Sequence, residues 1–237
     1  MQQKTNGIIL QNTKYQDKKN ILKIYTLQYG IQSYIVNVGH SAKSKIKAAH
    51  LLSLNQVEFI EQRKATQSIQ RINAIQVSYI YQNLFTHPLK NSVAIFLNEV
   101  LIKALKEQHE NTELYQFIIE SLVVFDSQDY EAVNFHLHFM VELSKYLGFY
   151  PNNNYSKQNC LFDMQDGIFT AHIPTHLHYA NNELSFQLSE LLTHKSSFSC
   201  NAKTRADLLQ VLIMLYKLHL PNFGEIKSIQ ILREVLG

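Results

Sequence analysis

The sequence predicts an α+β protein: a closed, five-stranded β-barrel at the N-terminus, then an α-helical domain that carries a small β-hairpin insert. Three observations predict it. Residues 1–79 hold five short runs rich in β-branched and aromatic residues, several of them alternating apolar with polar. Beyond Tyr79 the apolar spacing lengthens to the three-to-four period of helices. The charge turns over at the same place: residues 1–79 carry eleven Lys or Arg against three acids, a net of +8, and residues 80–237 carry eleven against sixteen, a net of −5.

The first strand is Gly7-Ile-Ile-Leu-Gln-Asn-Thr-Lys-Tyr15, and Asp17-Lys-Lys-Asn20 separates it from the second, Ile21-Leu-Lys-Ile-Tyr-Thr-Leu27. Tyr29-Gly30 makes the tight turn into the third, residues 31–38; the fourth and fifth cover residues 56–60 and 69–77. Five such strands in about eighty residues fit a barrel of the oligonucleotide-binding (OB) kind, and an SH3-like barrel has the same count. Helical spacing then covers residues 92–105, 114–125, 130–147, 182–192, 202–220 and 226–236. Gly148 reads as a helix stop, and Pro221 with Gly224 separates the last two helices. Between Pro151 and Tyr179, Gln165-Asp-Gly167 reads as the turn of a hairpin joining Cys160-Leu-Phe to Gly167-Ile-Phe-Thr.

The chain therefore divides into a barrel over residues 1–79 and a helical domain over 80–237, with the hairpin insert at 151–180. Four prolines, seven glycines and 46% hydrophobic residues predict order nearly from end to end. No stretch approaches the roughly 18 apolar residues of a membrane span, and the opening residues lack the apolar core of a signal peptide, so a cytoplasmic protein without membrane contact is expected. Cys160 and Cys200 form no disulfide framework and read as ordinary reduced thiols.

The barrel's charge points to phosphates. Three lysines alternate in Gly39-His-Ser-Ala-Lys-Ser-Lys-Ile-Lys47, giving Lys43, Lys45 and Lys47 on a loop between the third and fourth strands. Lys14, Lys18, Lys19 and Lys23 form a second group, and Arg63, Lys64 and Arg71 a third. Phosphate oxygens need donors and charge without fixed base geometry, which flexible lysines supply. Tyr15, Tyr25, Tyr29 and Tyr34 lie among them as faces on which bases stack. Many surface lysines only solvate a face, but an eleven-to-three excess on a barrel-sized unit exceeds what solubility needs.

Catalytic signatures are absent: there is no Gly-rich phosphate loop, no Gly-x-Ser-x-Gly elbow and no His-Glu-x-x-His helix. An enzyme is not expected. Cys160, Asp163, His172 and His176 are the residues nearest to a metal set, with His178 beside them. Cys160-Leu-Phe-Asp163 has ligand-pair spacing, but Asp is a weaker structural ligand than a second thiolate, so a hairpin with surface histidines is the preferred reading. No cofactor, zinc included, is expected. His136 and His138, two apart on a helix, point to different faces and read as surface or partly buried residues.

The barrel opening, residues 7–30, with the basic loop after Val-Gly39, resembles the start of the bacterial RecO family of recombination mediators. The ending Tyr216-Lys-Leu-His-Leu-Pro-Asn-Phe-Gly-Glu-Ile-Lys-Ser-Ile-Gln-Ile-Leu-Arg-Glu-Val-Leu236 resembles the end of that family's helical domain, and Tyr79-Ile-Tyr-Gln-Asn-Leu-Phe85 stands at the passage between the two. The resemblance implies an OB-fold followed by helices. It also implies a nucleoid-associated protein that binds single- and double-stranded DNA and anneals complementary strands coated with single-stranded DNA-binding protein (SSB). With its partner RecR, such a protein promotes loading of the recombinase RecA. It further implies a groove in the helical domain for the acidic, aromatic-ended tail of SSB, for which Lys90, Lys103 and Lys106 are the nearest cationic cluster. Many relatives carry a four-cysteine zinc module where this chain keeps Cys160 but has Asp163 in place of a second cysteine. The reading of another class is a protein-interaction adaptor, whose basic barrel meets an acidic protein.

Overall fold

A computed structural model describes residues 2–39, 46–64, 66–127, 133–194 and 197–236. The chain falls into two compact units, Met1–Thr86 with Leu97–Ser127 and His87–Phe96 with Gln128–Gly237.

In the first unit, strands β1 (Gln2–Gln16), β2 (Lys19–Thr26), β3 (Gly30–Asn37), β4 (Gln56–Gln62) and β5 (Ile69–Val77) close into a barrel in the order β1-β2-β3-β5-β4. β3 and β5 pair in parallel, the other neighbours antiparallel, and β1 closes the barrel by pairing with β4 from Gln2↔Gln62 to Ile8↔Gln56. This order is that of the OB fold, which settles the choice between the two barrel types. Alternation places Leu22, Ile24, Tyr34, Val36, Phe59 and Ile72 inside. A bulge lies between Ile9 and Gln11, and the Leu10 carbonyl there accepts from Asn98 Nδ2 at 3.1 Å and Ser53 Oγ at 3.3 Å. A 3₁₀ turn over Ala48–Leu51, which the sequence pattern does not announce, adds Leu51 to the core.

Helices α1 (Pro88–Ala104) and α2 (Thr112–Ser127) follow. The buried carboxylate of Asp126 accepts the backbone N–H groups of Gln82, Asn83 and Leu84 at 2.9, 2.8 and 2.7 Å, which fixes the exit from the barrel to the end of α2.

The second unit contains α3 (Phe135–Tyr146), the short strands β6 (Leu161–Asp163), β7 (Ile168–Thr170) and β8 (Tyr179–Ala180), and helices α4 (Asn182–Thr193), α5 (Ala202–His219) and α6 (Ile229–Leu236). Asn181 and Asn201 cap α4 and α5 by accepting from Leu184 N at 2.9 Å and Thr204 N at 2.8 Å. α3 starts at Phe135, later than the predicted 130, and residues 128–132 lie outside the described part. The predicted hairpin is β6–β7, turning at Gly167 with φ +67°, and β8 adds a third strand on the other side of β6. Among the described residues, no helix is long and apolar enough to cross a membrane.

Candidate nucleic-acid interface

Strand register places Lys23 and Arg71 on one outer face of the barrel. Lys23 pairs with Gln11 of β1 and Ser33 of β3, and Ser33 pairs in turn with Ile69 of β5. The next outward row runs Thr13, Ile21, Ile35, Arg71. These positions alternate with the buried Leu22, Tyr34 and Ile72, so their side chains face outward. Lys14 and Lys18 are exposed at the β1–β2 hairpin, where Lys19 pairs with Asn37. Val38 N donates to Lys18 O at 2.9 Å and Gly39 N to Ile46 O at 3.2 Å. Those bonds bring the two ends of the basic loop, with the exposed Lys47, to the end of the barrel that bears Lys18. Lys43 and Lys45 lie outside the described residues.

A polar cleft of about 600 Å³ opens beside this face, entirely within the first unit. Lys23, Arg63, Lys64 and Lys106 line it, with Gln32, Ser33, Gln67 and Ser68 as neutral donors and no carboxylate among the lining residues. The segment from β4 to β5 that carries Arg63 and Lys64 is braced from below. The buried Gln70 side chain accepts from Lys64 N at 2.8 Å and donates to Lys64 O at 3.1 Å and to Gln67 O. Arg63 is braced twice more: its guanidinium lies 3.6 Å over the Tyr29 ring and 3.4 Å from the fully buried Glu61 carboxylate, which also accepts from Thr5 Oγ1 at 2.9 Å.

The acids of the barrel stand aside from this face. Glu61 is interior, and Glu58 pairs with Lys4 at 2.6 Å and accepts from Gln76 Nε2 at 2.8 Å on another part of the wall. Only Asp17, in the β1–β2 turn, is a nearby exposed acid among those of residues 1–79.

Several predicted side chains are placed differently. Tyr34 is wholly buried, edge-on to Phe59 at 4.9 Å, and its ring is not offered to a base. Burial and the neighbouring Glu61 push its hydroxyl well above the ordinary tyrosine range. Tyr25 is likewise buried, against Tyr115, and Tyr29 has one face under Arg63; Tyr15 alone of the four is largely open, at 58% exposure. The three lysines offered for a tail groove have distinct surroundings. Lys90 is buried in the second unit, Lys103 pairs with Glu99 at 3.9 Å, and Lys106 lines the cleft of the barrel unit. Sequence reasoning missed Lys106 as a cleft residue because the backbone contact at Gly30 that brings its segment to the barrel leaves no mark in residue spacing.

Two of the four metal candidates, Asp163 and His176, are engaged at a turn. Asp163 Oδ1 accepts from the N–H groups of Gln165 and Asp166 at 2.8 and 3.2 Å, and its Oδ2 lies 3.2 Å from His176 Nε2. His176 Nδ1 accepts from His178 N at 3.2 Å, so the Nε2–H tautomer donates to Asp163. Cys160 is a free thiol and His172 is exposed. Among the described residues, no three His, Cys, Asp or Glu side chains are grouped to hold a metal.

The second unit carries an apolar groove of about 170 Å³ lined by His136, Arg205, Leu209, Leu232, Arg233 and Leu236, together with Ala202 and Ala206. His136, expected near the surface, is fully buried with neither ring nitrogen hydrogen-bonded, because α3 turns it inward, edge-on to Phe96. Burial first, then Arg205 and His138, hold its imidazole down to about 3. Arg205 Nη2 donates to Leu236 O at 2.7 Å, at the end of α6.

A barrel with OB strand order and a cationic cleft lined by no carboxylate, followed by helices, defines an OB-fold protein with a helical extension. The comparisons name the branch. Residues 1–81 match the family model "Recombination protein O N terminal" and residues 86–228 match "Recombination protein O C terminal". The chain is 33% identical to DNA repair protein RecO of Phocaeicola vulgatus and 34% identical to that of Flavobacterium johnsoniae, with all of each chain covered. It is 28% identical to that of Porphyromonas gingivalis over 96% of both chains. The chain belongs to the RecO family of DNA repair proteins.

Proposed function

We propose that this protein is a non-enzymatic recombination and repair mediator. It captures single- and double-stranded DNA on the barrel, anneals complementary strands coated with SSB, and with RecR promotes loading of RecA. The observation that carries this reading is the cleft of Lys23, Arg63, Lys64 and Lys106 with no carboxylate in its lining, continuous with the outward rows of β2, β3 and β5.

Phosphate neutralisation releases condensed counterions, so affinity falls steeply with salt and sequence preference is slight. Two strands brought to one positive surface repel each other less, which is all that annealing asks of the protein. No bond is made or broken.

For the acidic, aromatic-ended SSB tail we propose the groove of the second unit in place of Lys90, Lys103 and Lys106. It supplies an apolar floor in Leu209, Leu232 and Leu236 and cationic sides in Arg205 and Arg233. Charge and shape suit a chain that ends in a ring and a carboxylate.

The test is fluorescence anisotropy of a labelled single-stranded oligonucleotide across a salt series, with strand annealing followed in the same buffers. Tight, salt-sensitive binding with accelerated annealing supports the mediator. Absence of binding at low salt rejects it and leaves the barrel's charge to an acidic protein partner.

A further inference from the structure

Gly30 begins β3 at φ +59°, and a β-carbon there would lie 2.3 Å from the Glu107 carbonyl oxygen and 2.8 Å from that of His109. Ile31 N donates to the same Glu107 oxygen at 2.9 Å. The chain that leaves α1 is therefore seated backbone-to-backbone on the barrel, at a spot that only a glycine permits. Lys106 stands one residue before this contact. It is exposed and lines the cleft with Lys23, Arg63 and Lys64, and among the described residues no carboxylate lies within ion-pair distance of it.

We infer that Lys106, delivered from outside the barrel's own sequence, is a phosphate-contacting residue of the single-stranded DNA site, and that the Gly30–Glu107 backbone contact is what positions it. The inference rests on the DNA-binding reading above. A strand held only by β2 and the β4–β5 segment meets Lys23, Arg63 and Lys64. Lys106 adds to the same cleft a cation carried by a different segment of the chain. Lys103, three residues earlier, is half-buried and paired with Glu99, and has no such role.

The experiment measures binding of a labelled oligo-dT to the full chain by anisotropy across a salt series, for the wild type, K106Q, K103Q, G30A and the double variant G30A/K106Q. K106Q lowers affinity about three- to ten-fold at low salt and makes the log-log salt slope shallower by about 0.7, the contribution of one phosphate contact on a single strand. K103Q changes neither. G30A reproduces the K106Q loss, and the double variant is no weaker than either single one, because both remove the same contact. Thermal unfolding separates a displaced segment from a barrel that fails to fold, and K106Q, at an exposed position, is informative in either case. Wild-type binding that K106Q leaves unchanged overturns the inference while the DNA-binding reading stands. A wild type that binds an acidic peptide but no oligonucleotide overturns both.

Discussion

Arg63 sits over Tyr29, its guanidinium carbon 3.6 Å from the ring centroid. The ring contact and the buried Glu61 at 3.4 Å together restrain the guanidinium, which also lines the cleft. A flexible lysine would have to be ordered at each binding event, and Arg63 already is.

Replacing Arg63 with Lys keeps the charge and loses the restrained guanidinium. R63K is expected to weaken oligonucleotide binding about two- to ten-fold, the cost of ordering one long, unrestrained side chain on binding. R71K, at an exposed position on β5, leaves it unchanged. Equal behaviour of the two variants in an anisotropy titration would mean that Arg63 acts only as a point charge.

Tyr34 makes a contrasting case. Because its ring is enclosed by the barrel, Y34F should leave DNA affinity within about two-fold, whereas Tyr34→Ala should cost roughly 3–5 kcal/mol of stability through the cavity left against Phe59. Urea unfolding and anisotropy on the same preparations check the pair.

His136 links stability to pH. Its folded-state pKa, near 3, lies below its ordinary 6.5. Between those values the unfolded chain takes up a proton that the folded chain does not. Stability on this account is complete above pH 6.5 and declines as pH falls, by up to ~1.4 kcal/mol per pH unit from this residue. H136L should flatten that part of the curve in denaturant titrations between about pH 5 and 7. It should not weaken the fold at pH 7.5, because two unbonded ring nitrogens leave the interior with the imidazole.

The insert is expected to stand without metal. Asp163 joins its turn to His176, so Asp163→Ala should lower stability by about 1–2 kcal/mol, the cost of three lost hydrogen bonds in part replaced by water. Chelator treatment of the wild-type protein should leave its melting temperature in place. A melting temperature that drops with chelator would instead reveal a metal held at this turn.

Local pattern made much of this architecture legible. Residues 69–77 were readable as a strand to the residue, and the Gln165-Asp-Gly167 turn declared the hairpin. What stayed hidden depends on partners distant in sequence. Gln2–Asn6 is too polar to announce a strand and becomes one because β4 offers its edge from Gln62 to Glu58. Tyr34 looked like a surface ring because β3 mixes polar and apolar residues on both faces. Its pairing with the interior Leu22, set by the β2–β3 turn, decides the matter. In the candidate site, charge density put Lys23 in one basic group and Arg63 with Lys64 in another, and the strand pairing brings all three to the lining of one cleft. Charge density could not bring in Lys106 or remove Lys90, since one depends on a backbone contact at Gly30 and the other on burial within a helical core.

The central claim is that DNA is held by its phosphates in and around this cleft. The most direct measurement is the log-log salt slope of oligonucleotide binding for the wild type against K23Q/K64Q, which removes two cleft cations and leaves the braces of Arg63 untouched. The account predicts a slope shallower by about 1.4, two phosphates at 0.7 each, with lower affinity for every sequence tested. A double variant with the wild-type slope and affinity would contradict it and move the DNA elsewhere on the protein.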